Sequence, residues 1–264
     1  MSAPGLPAST LLGIHYAADI IRCAKHAIAF TGAGISTPSG IPDFRSENSG
    51  LWEKTDPFEV ASLSAFRYNP EKLFIWMRPL AQKIFNAHPN PAHLGLAALQ
   101  QAGFIDTIIT QNIDGLHQLA GSEHVYEIHG SLQTLTCIRC YQQFDSGKYL
   151  REFLEAGEIP RCPNCHNILK PDVVLFGEQM PMRAWLQAQE ATRHCDVMIV
   201  VGSSLEVLPA AGLPMRALEH GAHLIINNHM KTYIDVRADV VLSEDVADII
   251  PRIAAEVRGE PLQF

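Results

Sequence analysis

The sequence predicts an α/β fold with a parallel sheet, interrupted by a cysteine-rich insert. Short apolar runs alternate with segments of helical periodicity, as where Val197 to Val201 precedes a helix at about 209–219. Strands that are buried on both faces of a parallel sheet have continuous apolar runs of this kind. Between residues 132 and 170 the pattern changes to four cysteines, short β-like pieces and one helix near 147–156. This change marks the insert.

Size and charge limit the possible functions. The chain has 264 residues, of which 47% are hydrophobic and 18% charged, typical of a soluble globular protein with one large domain or a domain with an insert. The net charge of -8 argues against binding to nucleic-acid phosphates but allows a basic peptide as partner. Residues 1–10 lack the basic and apolar parts of a signal peptide, and no apolar run could span a bilayer. We expect a cytoplasmic protein without membrane association.

The remaining elements follow from apolar spacing and capping residues. Apolar spacing predicts a helix over residues 10–26, with Thr10 as its N-cap. Asp56-Pro57 and Asn69-Pro70 each predict a helix start, because a capping residue precedes proline at the first helical position. Further helices are predicted over 91–102, 115–120, 181–194 and 244–257, and strands over 104–110, 124–128, 173–176, 223–226 and 240–242.

A glycine turn after the first strand predicts a nucleotide site. The apolar run 27–30 leads into Gly32-Ala33-Gly34. Glycines without side chains allow backbone amides to approach a pyrophosphate, as in Rossmann-like dinucleotide-binding sheets. The third glycine of that fingerprint is replaced by Thr37.

The residues after Thr37 cannot continue as a long helix. Pro38, Gly40 and Pro42 interrupt the segment. The loop then carries Asp43-Phe44-Arg45, and we interpret the whole stretch as a phosphate cradle joined to a lid.

Four polar segments follow predicted strands. They are Gly32–Gly34, Gln111–Asp114, His129 and Gly202-Ser203-Ser204. Ligands of parallel sheets bind beyond the carboxyl ends of the strands. The sequence therefore predicts that these segments share one pocket.

Two pairs of cysteines predict a metal site. Cys137-x-x-Cys140 and Cys162-x-x-Cys165 have the spacing of a tetrahedral zinc site with four thiolates. Because such a site has no open position for water, the zinc is expected to be structural. The alternatives are four free thiols, or His166 as a competing ligand.

His129 is a candidate general base. It ends a predicted strand, and an ordinary histidine pKa near ~6.5 suits this chemistry at neutral pH. The alternative is a polar residue satisfied at a strand end. His117 is expected to orient neighbouring groups. Gln111, Asn112 and Asp114 could contact a ribose and a carboxamide, or could simply form a turn.

The motifs together resemble the sirtuins, the NAD-dependent protein-lysine deacylases, and most closely the short bacterial type. The match extends over about residues 27–247. The motifs that carry it are Gly32-Ala33-Gly34-Ile35-Ser36, Ser39-Gly40-Ile41-Pro42-Asp43-Phe44-Arg45, Thr110-Gln111-Asn112-Ile113-Asp114, His129-Gly130, the paired cysteines, Phe176-Gly177-Glu178 and Gly202-Ser203-Ser204-Leu205.

The resemblance implies a division of the chain into two domains. Residues 1–45, 88–131 and 172–264 would form a Rossmann-like NAD-binding domain. Residues 46–87, a cofactor loop and helical module, and residues 132–171, a zinc-binding module, would form a smaller domain. NAD and an acyl-lysine would meet between the two domains.

The resemblance also implies roles for individual residues. His129 and Asn112 would be catalytic, and Val174, Leu175, Phe176 and Gly177 would pair with the substrate backbone. Contacts to NAD are implied for Gly32, Ala33, Gly34, Thr37, Asp43, Phe44, Arg45, Gln111, Asn112, Ile113, Asp114, Gly202, Ser203, Ser204, Asn227 and Val246. The implied products are nicotinamide, O-acyl-ADP-ribose and free lysine.

The family pattern further indicates the acyl preference. Relatives that favour succinyl or malonyl groups carry a tyrosine and an arginine at the positions of Met77 and Leu80. Neither residue here can bind a carboxylate, so neutral acyl groups, acetyl first, are expected. A monomer without direct nucleic-acid binding is also expected. Two alternatives are a mono-ADP-ribosyltransferase and a non-catalytic NAD-binding regulatory module.

Overall fold

The main layer of the molecule is a parallel sheet of six strands. The structure, a computed structural model, describes residues 6–43, 51 and 56–261. The strands are β1 (Ala27–Thr31), β2 (Thr107–Thr110), β3 (Val125–Glu127), β7 (Val197–Val201), β8 (His223–Asn227) and β9 (Val240–Leu242). Their order is β3-β2-β1-β7-β8-β9, and all neighbouring strands are parallel. The predicted α/β class is therefore confirmed.

Helices cover both faces of this sheet. Side chains alternate along β1, so that Ala27 and Ala29 face one hydrophobic cluster and Ile28 and Phe30 face another. The first cluster includes α1 (Ala8–Cys23), α5 (Pro91–Gln101) and α10 (Val246–Arg258); the second includes α8 (Met182–His194) and α9 (Leu213–Glu219). A short helix, α6 (Leu116–Leu119), lies between β2 and β3 along the chain. Burial on both faces explains the continuous apolar runs in the sequence.

A second, antiparallel sheet is built from the cysteine-rich insert. Its strands are β4 (Gly130–Cys137), β5 (Gln143–Asp145) and β6 (Leu169–Val173). Their order is β5-β4-β6, and α7 (Gly147–Ala156) lies between β5 and β6 along the chain.

The insert packs against the helices α2 (Pro57–Val60), α3 (Leu63–Tyr68) and α4 (Pro70–Asn86). One hydrophobic cluster joins Phe74 and Met77 of α4 to Phe153 of α7 and to Val173. The Arg78 guanidinium also donates to the Leu154 and Glu155 carbonyls at the end of α7. The two segments thus share one core, although about sixty residues separate them in sequence.

Most predicted helices and strands are confirmed, with differences at their ends. Asp56 caps α2 through its side chain, as expected. The prediction that Thr10 caps α1 was wrong, because α1 begins at Ala8 after Pro7. Thr10 is instead buried inside the helix, where its hydroxyl donates to Glu244. A tertiary contact thus uses the side chain that sequence patterns assigned to a cap.

The predicted strand over 173–176 was also wrong in its place. β6 ends at Val173 and pairs antiparallel with β4, outside the main sheet. The following residues make one isolated bridge, between Phe176 and Ser62. Among the described helices, none combines the length and the apolar character that crossing a membrane requires.

The predicted helix over 209–219 has two parts. Residues Ala210–Gly212 form a 3-10 turn before α9 begins at Leu213.

Candidate active site

A cleft of about 670 Å³ lies between the carboxyl edge of the main sheet and the smaller layer. The loops after β1, β2 and β7 form one wall, and α4 forms the other. Eighteen of the residues predicted from sequence to bind cofactor or substrate or to act in catalysis line it: Gly32, Ala33, Gly34, Thr37, Asp43, Gln111, Asn112, Ile113, Asp114, His129, Val174, Leu175, Phe176, Gly177, Gly202, Ser203, Ser204 and Val246.

Three of the predicted residues do not join this group. Phe44 and Arg45 lie outside the described residues. Asn227 is fully buried below the cleft, where its amide nitrogen donates to the Leu242 and Glu244 carbonyls. Its neighbour Asn228 lines the cleft instead.

The two glycine turns of the cleft pack directly against each other. The amides of Gly32 and Gly34 donate to the carbonyls of Val201 and Gly202, at 3.1 and 2.8 Å. A Cβ atom on Gly34 would lie 2.9 Å from the Gly202 Cα. The amides of Gly32 and Gly34 are thus already engaged. The glycines serve the close approach of two loops, which differs from the bare-amide reason we expected.

Asn112, Ser36 and Asp114 form a polar network at the end of β2. The Asn112 amide nitrogen donates to the Gly32 carbonyl and to the Ser36 hydroxyl, both at 3.1 Å. The Ser36 hydroxyl donates to Asp114 at 2.7 Å, and the other Asp114 oxygen accepts from the Leu116 amide. Burial raises the pKa of Asp114, against these hydrogen bonds. Sequence analysis missed the role of Ser36 as the centre of this network.

His129 is held in one orientation by a backbone carbonyl. Its Nδ1 lies 3.1 Å from the Gln111 oxygen. Because a carbonyl only accepts, Nδ1 carries the proton and Nε2 remains a free base. Burial lowers the pKa of His129, against the hydrogen bond to Gln111, which raises it. The arrangement favours the neutral imidazole that proton abstraction requires.

A pair of buried histidines supports the floor of the cleft. The rings of His93 and His117 meet edge to face, with centroids 4.9 Å apart. His117 Nε2 is 2.9 Å from the Thr31 hydroxyl at the end of β1. Burial lowers the pKa of His93 to about 4, and burial together with His93 lowers that of His117 well below its usual value. Both rings are therefore neutral at pH 7. The orienting role expected for His117 fits this position, whereas sequence analysis assigned His93 no role.

The α4 wall of the cleft is apolar. It presents Leu73, Trp76, Met77, Leu80 and Ile84, and none of the described residues that line the cleft is a lysine or an arginine.

Residues 174–177 follow β6 and lie beside His129, ending in a turn at Gly177. The Val174 amide donates to the His129 carbonyl at 2.8 Å, and the Phe176 amide donates to Ala61 at 2.9 Å. The Phe176 carbonyl accepts from Leu63 at 2.9 Å. The segment is therefore anchored to both layers of the molecule.

The four paired cysteines meet in one cluster. Sγ atoms lie 3.4 Å apart for Cys137 and Cys165 and 3.6 Å apart for Cys140 and Cys162, and all four fall within 4.8 Å of one another. Thiolates about 2.3 Å from a tetrahedral zinc would be separated by about 3.8 Å. The donor set and its spacing therefore suit a structural zinc ion, and none of the six cysteines forms a disulfide.

Comparison with known proteins identifies the family. Residues 32–209 match the Sir2 family. The chain is 47% identical over 246 residues to NAD-dependent protein deacylase 2 of Archaeoglobus fulgidus, covering 93% of this chain and 96% of that protein. It is 46% identical over 249 residues to the NAD-dependent protein deacetylase of Caldivirga maquilingensis, covering 94% and 95%.

Solved structures agree with this match. One solved structure comes from work on the structural basis for the mechanism and regulation of Sir2 enzymes. It is 47% identical to this chain, with a TM-score of 0.88 over 94% of this chain and 98% of that chain. A Sir2 enzyme bound to a myristoylated histone peptide is 40% identical, with a TM-score of 0.82 over 94% and 98% of the two chains. A homologue is also known with NAD, at 36% identity, a TM-score of 0.83 and coverage of 92% and 93%. The chain therefore belongs to the Sir2 family, as an NAD-dependent protein-lysine deacylase with a four-cysteine site for structural zinc.

Proposed function

We propose that this enzyme removes neutral acyl groups from lysine, including acyl chains longer than acetyl. The observation that carries this proposal is the apolar wall of α4, in which Met77 and Leu80 stand where a carboxylate-binding pair would be needed. The described residues that line this wall include no lysine or arginine. An acidic acyl group buried against them would therefore find no cation among these residues, at a cost of several kcal/mol. The complex of a relative with a myristoylated peptide supports the longer chains.

His129 acts as the general base in this proposal. Its free Nε2 takes a proton from a ribose hydroxyl, while the Gln111 carbonyl keeps the ring in the required tautomer. Bound NAD would supply a ribose carbon that reacts with loss of nicotinamide, and its ribose would receive the acyl group as the lysine amine is released. No nucleophilic side chain of the protein is required.

The polar network at the end of β2 orients the reacting groups. Asn112 fixes the position of Ser36 and the Gly32 turn, and Asp114 accepts from Ser36. We assign NAD binding to the residues of the two glycine turns and of 111–114 that line the cleft, and to Val246 at its far end. Phe44, Arg45 and Asn227 keep this assignment only through the family resemblance.

The peptide binds along residues 174–177. The Val174 amide already donates to the His129 carbonyl. The Val174 carbonyl and the Gly177 backbone groups make no backbone hydrogen bond to another described residue, and these groups are left for the substrate. A peptide strand laid here would bring its acyl-lysine next to His129.

The proposal extends to the organisation and setting of the chain. Its two layers correspond to an NAD-binding domain of 1–45, 88–131 and 172–264 and a smaller domain of 46–87 and 132–171, supported by the shared core of α4 and α7. A reducing compartment such as the cytoplasm fits six cysteines of which none forms a disulfide. A monomer that does not bind nucleic acid fits the charge of -8, and sedimentation with and without DNA would check both.

Comparing acyl peptides tests the substrate class. One peptide sequence carrying acetyl-, decanoyl- or succinyl-lysine is incubated with NAD, and kcat/KM is measured for each. We expect the succinyl peptide to react about 10²-fold more slowly than the acetyl peptide, and the decanoyl peptide within about tenfold of it. A succinyl rate equal to the acetyl rate would overturn the proposal.

The products distinguish deacylation from ADP-ribosyl transfer. With isotope-labelled NAD, mass spectrometry should find the label in O-acyl-ADP-ribose. Label attached to the protein or peptide would instead support a transferase.

A further inference from the structure

Lys170 is a buried lysine beside the candidate substrate edge. Only 7% of its surface is exposed, although it lies in a strand of the small antiparallel sheet. Lysine is rarely buried this fully unless its charge is paired. Its Nζ donates to the Pro171 carbonyl at 2.9 Å and the Val173 carbonyl at 2.8 Å, and lies 3.0 Å from Glu178 Oε2. All three ammonium protons therefore have an acceptor.

Glu178 closes the other end of the same segment. Its Oε2 accepts from the Leu175 amide at 3.0 Å, and its own amide donates to the Leu175 carbonyl at 2.9 Å. Between them, Gly177 has a φ of +81°, which favours glycine. The ion pair thus ties the end of β6 to the turn at residues 175–178, and residues 170–178 form one hydrogen-bonded unit.

This unit touches the candidate catalytic base as well as the peptide edge. The Val174 amide donates to the His129 carbonyl, and Val173 pairs with Gly130 in the small sheet. Glu178 and residues 173–177 also line the cleft. A shift of the 173–178 backbone would therefore move the peptide edge and His129 together.

We propose that Lys170 and Glu178 are positioning residues that set the peptide-binding edge and hold His129 against it. The inference rests on the proposed function, because it assumes that residues 174–177 bind the acylated peptide. Neither side chain needs to touch the reacting atoms.

The chemistry of the pair supports a positioning role over a merely stabilising one. A buried ion pair is often no more stabilising than apolar residues of similar volume. Apolar side chains could fill the space but could not bind the Val173 carbonyl and the Leu175 amide. The charged pair also fixes the backbone path of residues 173–178. Catalysis requires such precision, because a misplacement of about 1 Å at the reacting groups can lower the rate.

Steady-state kinetics of the full-length, zinc-loaded protein test the proposal. The variants are Glu178→Gln, which keeps an acceptor for Leu175 but removes the charge, Lys170→Met and Lys170→Arg. Lys148→Met and Glu152→Gln change the same residue types at exposed positions on α7 and serve as matched controls. For each variant, kcat and the separate KM values for acetyl-lysine peptide and NAD are measured, along with Tm.

We expect Glu178→Gln and Lys170→Met to lower kcat/KM for the peptide about tenfold or more, with the KM for NAD changed less than twofold. Lys170→Arg should retain at least half of the activity, and the controls should match the wild type. The double variant Lys170→Met/Glu178→Gln should be no worse than the more damaged of its two single variants, because both single changes remove the same contact.

Several results would overturn the inference. Peptide kcat/KM within twofold of the wild type in Glu178→Gln would do so, as would an equal rise in both KM values. If Lys170→Met does not fold, Glu178→Gln decides the question alone. A wild-type protein that does not deacylate the peptide at all would refute the proposed function itself, a separate outcome from unequal variants of an active enzyme.

Discussion

The two walls of the cleft are built on different principles. The sheet wall consists of turns whose backbone groups bind one another, as Gly34 binds Gly202, and of polar side chains such as Asn112 and Gln111. The helical wall consists of apolar side chains projecting from α4. A backbone-built wall tolerates little substitution, whereas a wall of side chains can be changed one residue at a time. We infer that the sequence of the sheet wall, on the cofactor side, is tightly constrained. The residues of the helical wall, on the acyl side, can change to suit different acyl groups.

The largest effect is expected at the sheet wall, from His129→Ala. General bases contribute about 10²–10⁴-fold, so kcat for deacylation should fall by that factor. Because the glycine turns are untouched, NAD affinity measured by calorimetry should stay within about threefold of the wild type. Near-normal turnover in this variant would refute the role of His129.

Removing the metal should disturb the small antiparallel sheet and leave the main sheet folded. The cluster of four cysteines joins the end of β4 and the turn after it to the loop between α7 and β6. Structural zinc commonly contributes folding energy to its module. Chelation should therefore lower peptide turnover at least about tenfold, with recovery on adding zinc. Circular dichroism should retain most of the helical signal, since α1, α5 and α10 pack on the other sheet. Global unfolding by the chelator would show that the layers are not independent.

A methyl group in the sheet wall should be costly. In Gly202→Ala the new Cβ would lie 2.2 Å from the Ile35 nitrogen, at a φ of +61°. We expect a loss of about 3 kcal/mol or more in the free energy of unfolding, measured by urea denaturation, with a raised KM for NAD. Gly212→Ala is the control, because a Cβ there meets nothing within 4 Å. Equal effects at the two positions would contradict the packing argument.

The buried histidines below the sheet wall predict loss of stability in acid. The pKa of His93 is lowered from 6.5 to about 4, so the unfolded chain binds its proton first as the pH falls. Stability linked to His93 is therefore complete above pH 6.5 and falls by about 3 kcal/mol toward pH 4. His117 acts in the same direction. Urea denaturation from pH 7.5 to 5 should show the loss, and His93→Gln should reduce its slope. An unchanged slope would contradict the assignment.

The smallest effect on basal activity is expected at the helical wall. Leu80→Ala enlarges the apolar end of the cleft while leaving the sheet wall unchanged. Its burial predicts a stability loss of about 2–5 kcal/mol. At a temperature where the variant is folded, acetyl-lysine kcat/KM should stay within about threefold of the wild type. KM for a decanoyl-lysine peptide should rise severalfold through lost apolar contact. A larger loss of activity with the acetyl-lysine peptide than with the decanoyl-lysine peptide would contradict the assignment of the helical wall to the acyl chain.

Sequence patterns predicted which residues form the sheet wall, but they did not predict the contacts among those residues. Gly32, Gln111, His129 and Ser203 could be placed together because each follows a strand, and parallel strands end at one edge. Ser36 and His93 were missed as network members, because their partners Asp114 and His117 are remote in sequence. In the sequence, the Asn90-Pro91 helix start places His93 at the third helical position, where a side chain can complete a capping box, and the structure shows that contact.

The sequence by itself determined the α/β class, the four-cysteine cluster and the segments that meet at the cleft, since periodicity, ligand spacing and strand ends are local signals. Only the tertiary structure decided that Thr10 binds Glu244, that Asn227 lies below the cleft, and that β6 joins the small sheet. It also decided that the glycines serve loop packing. The physical reason is that each of these depends on a close contact between residues far apart in the chain, and no local pattern encodes such a distance.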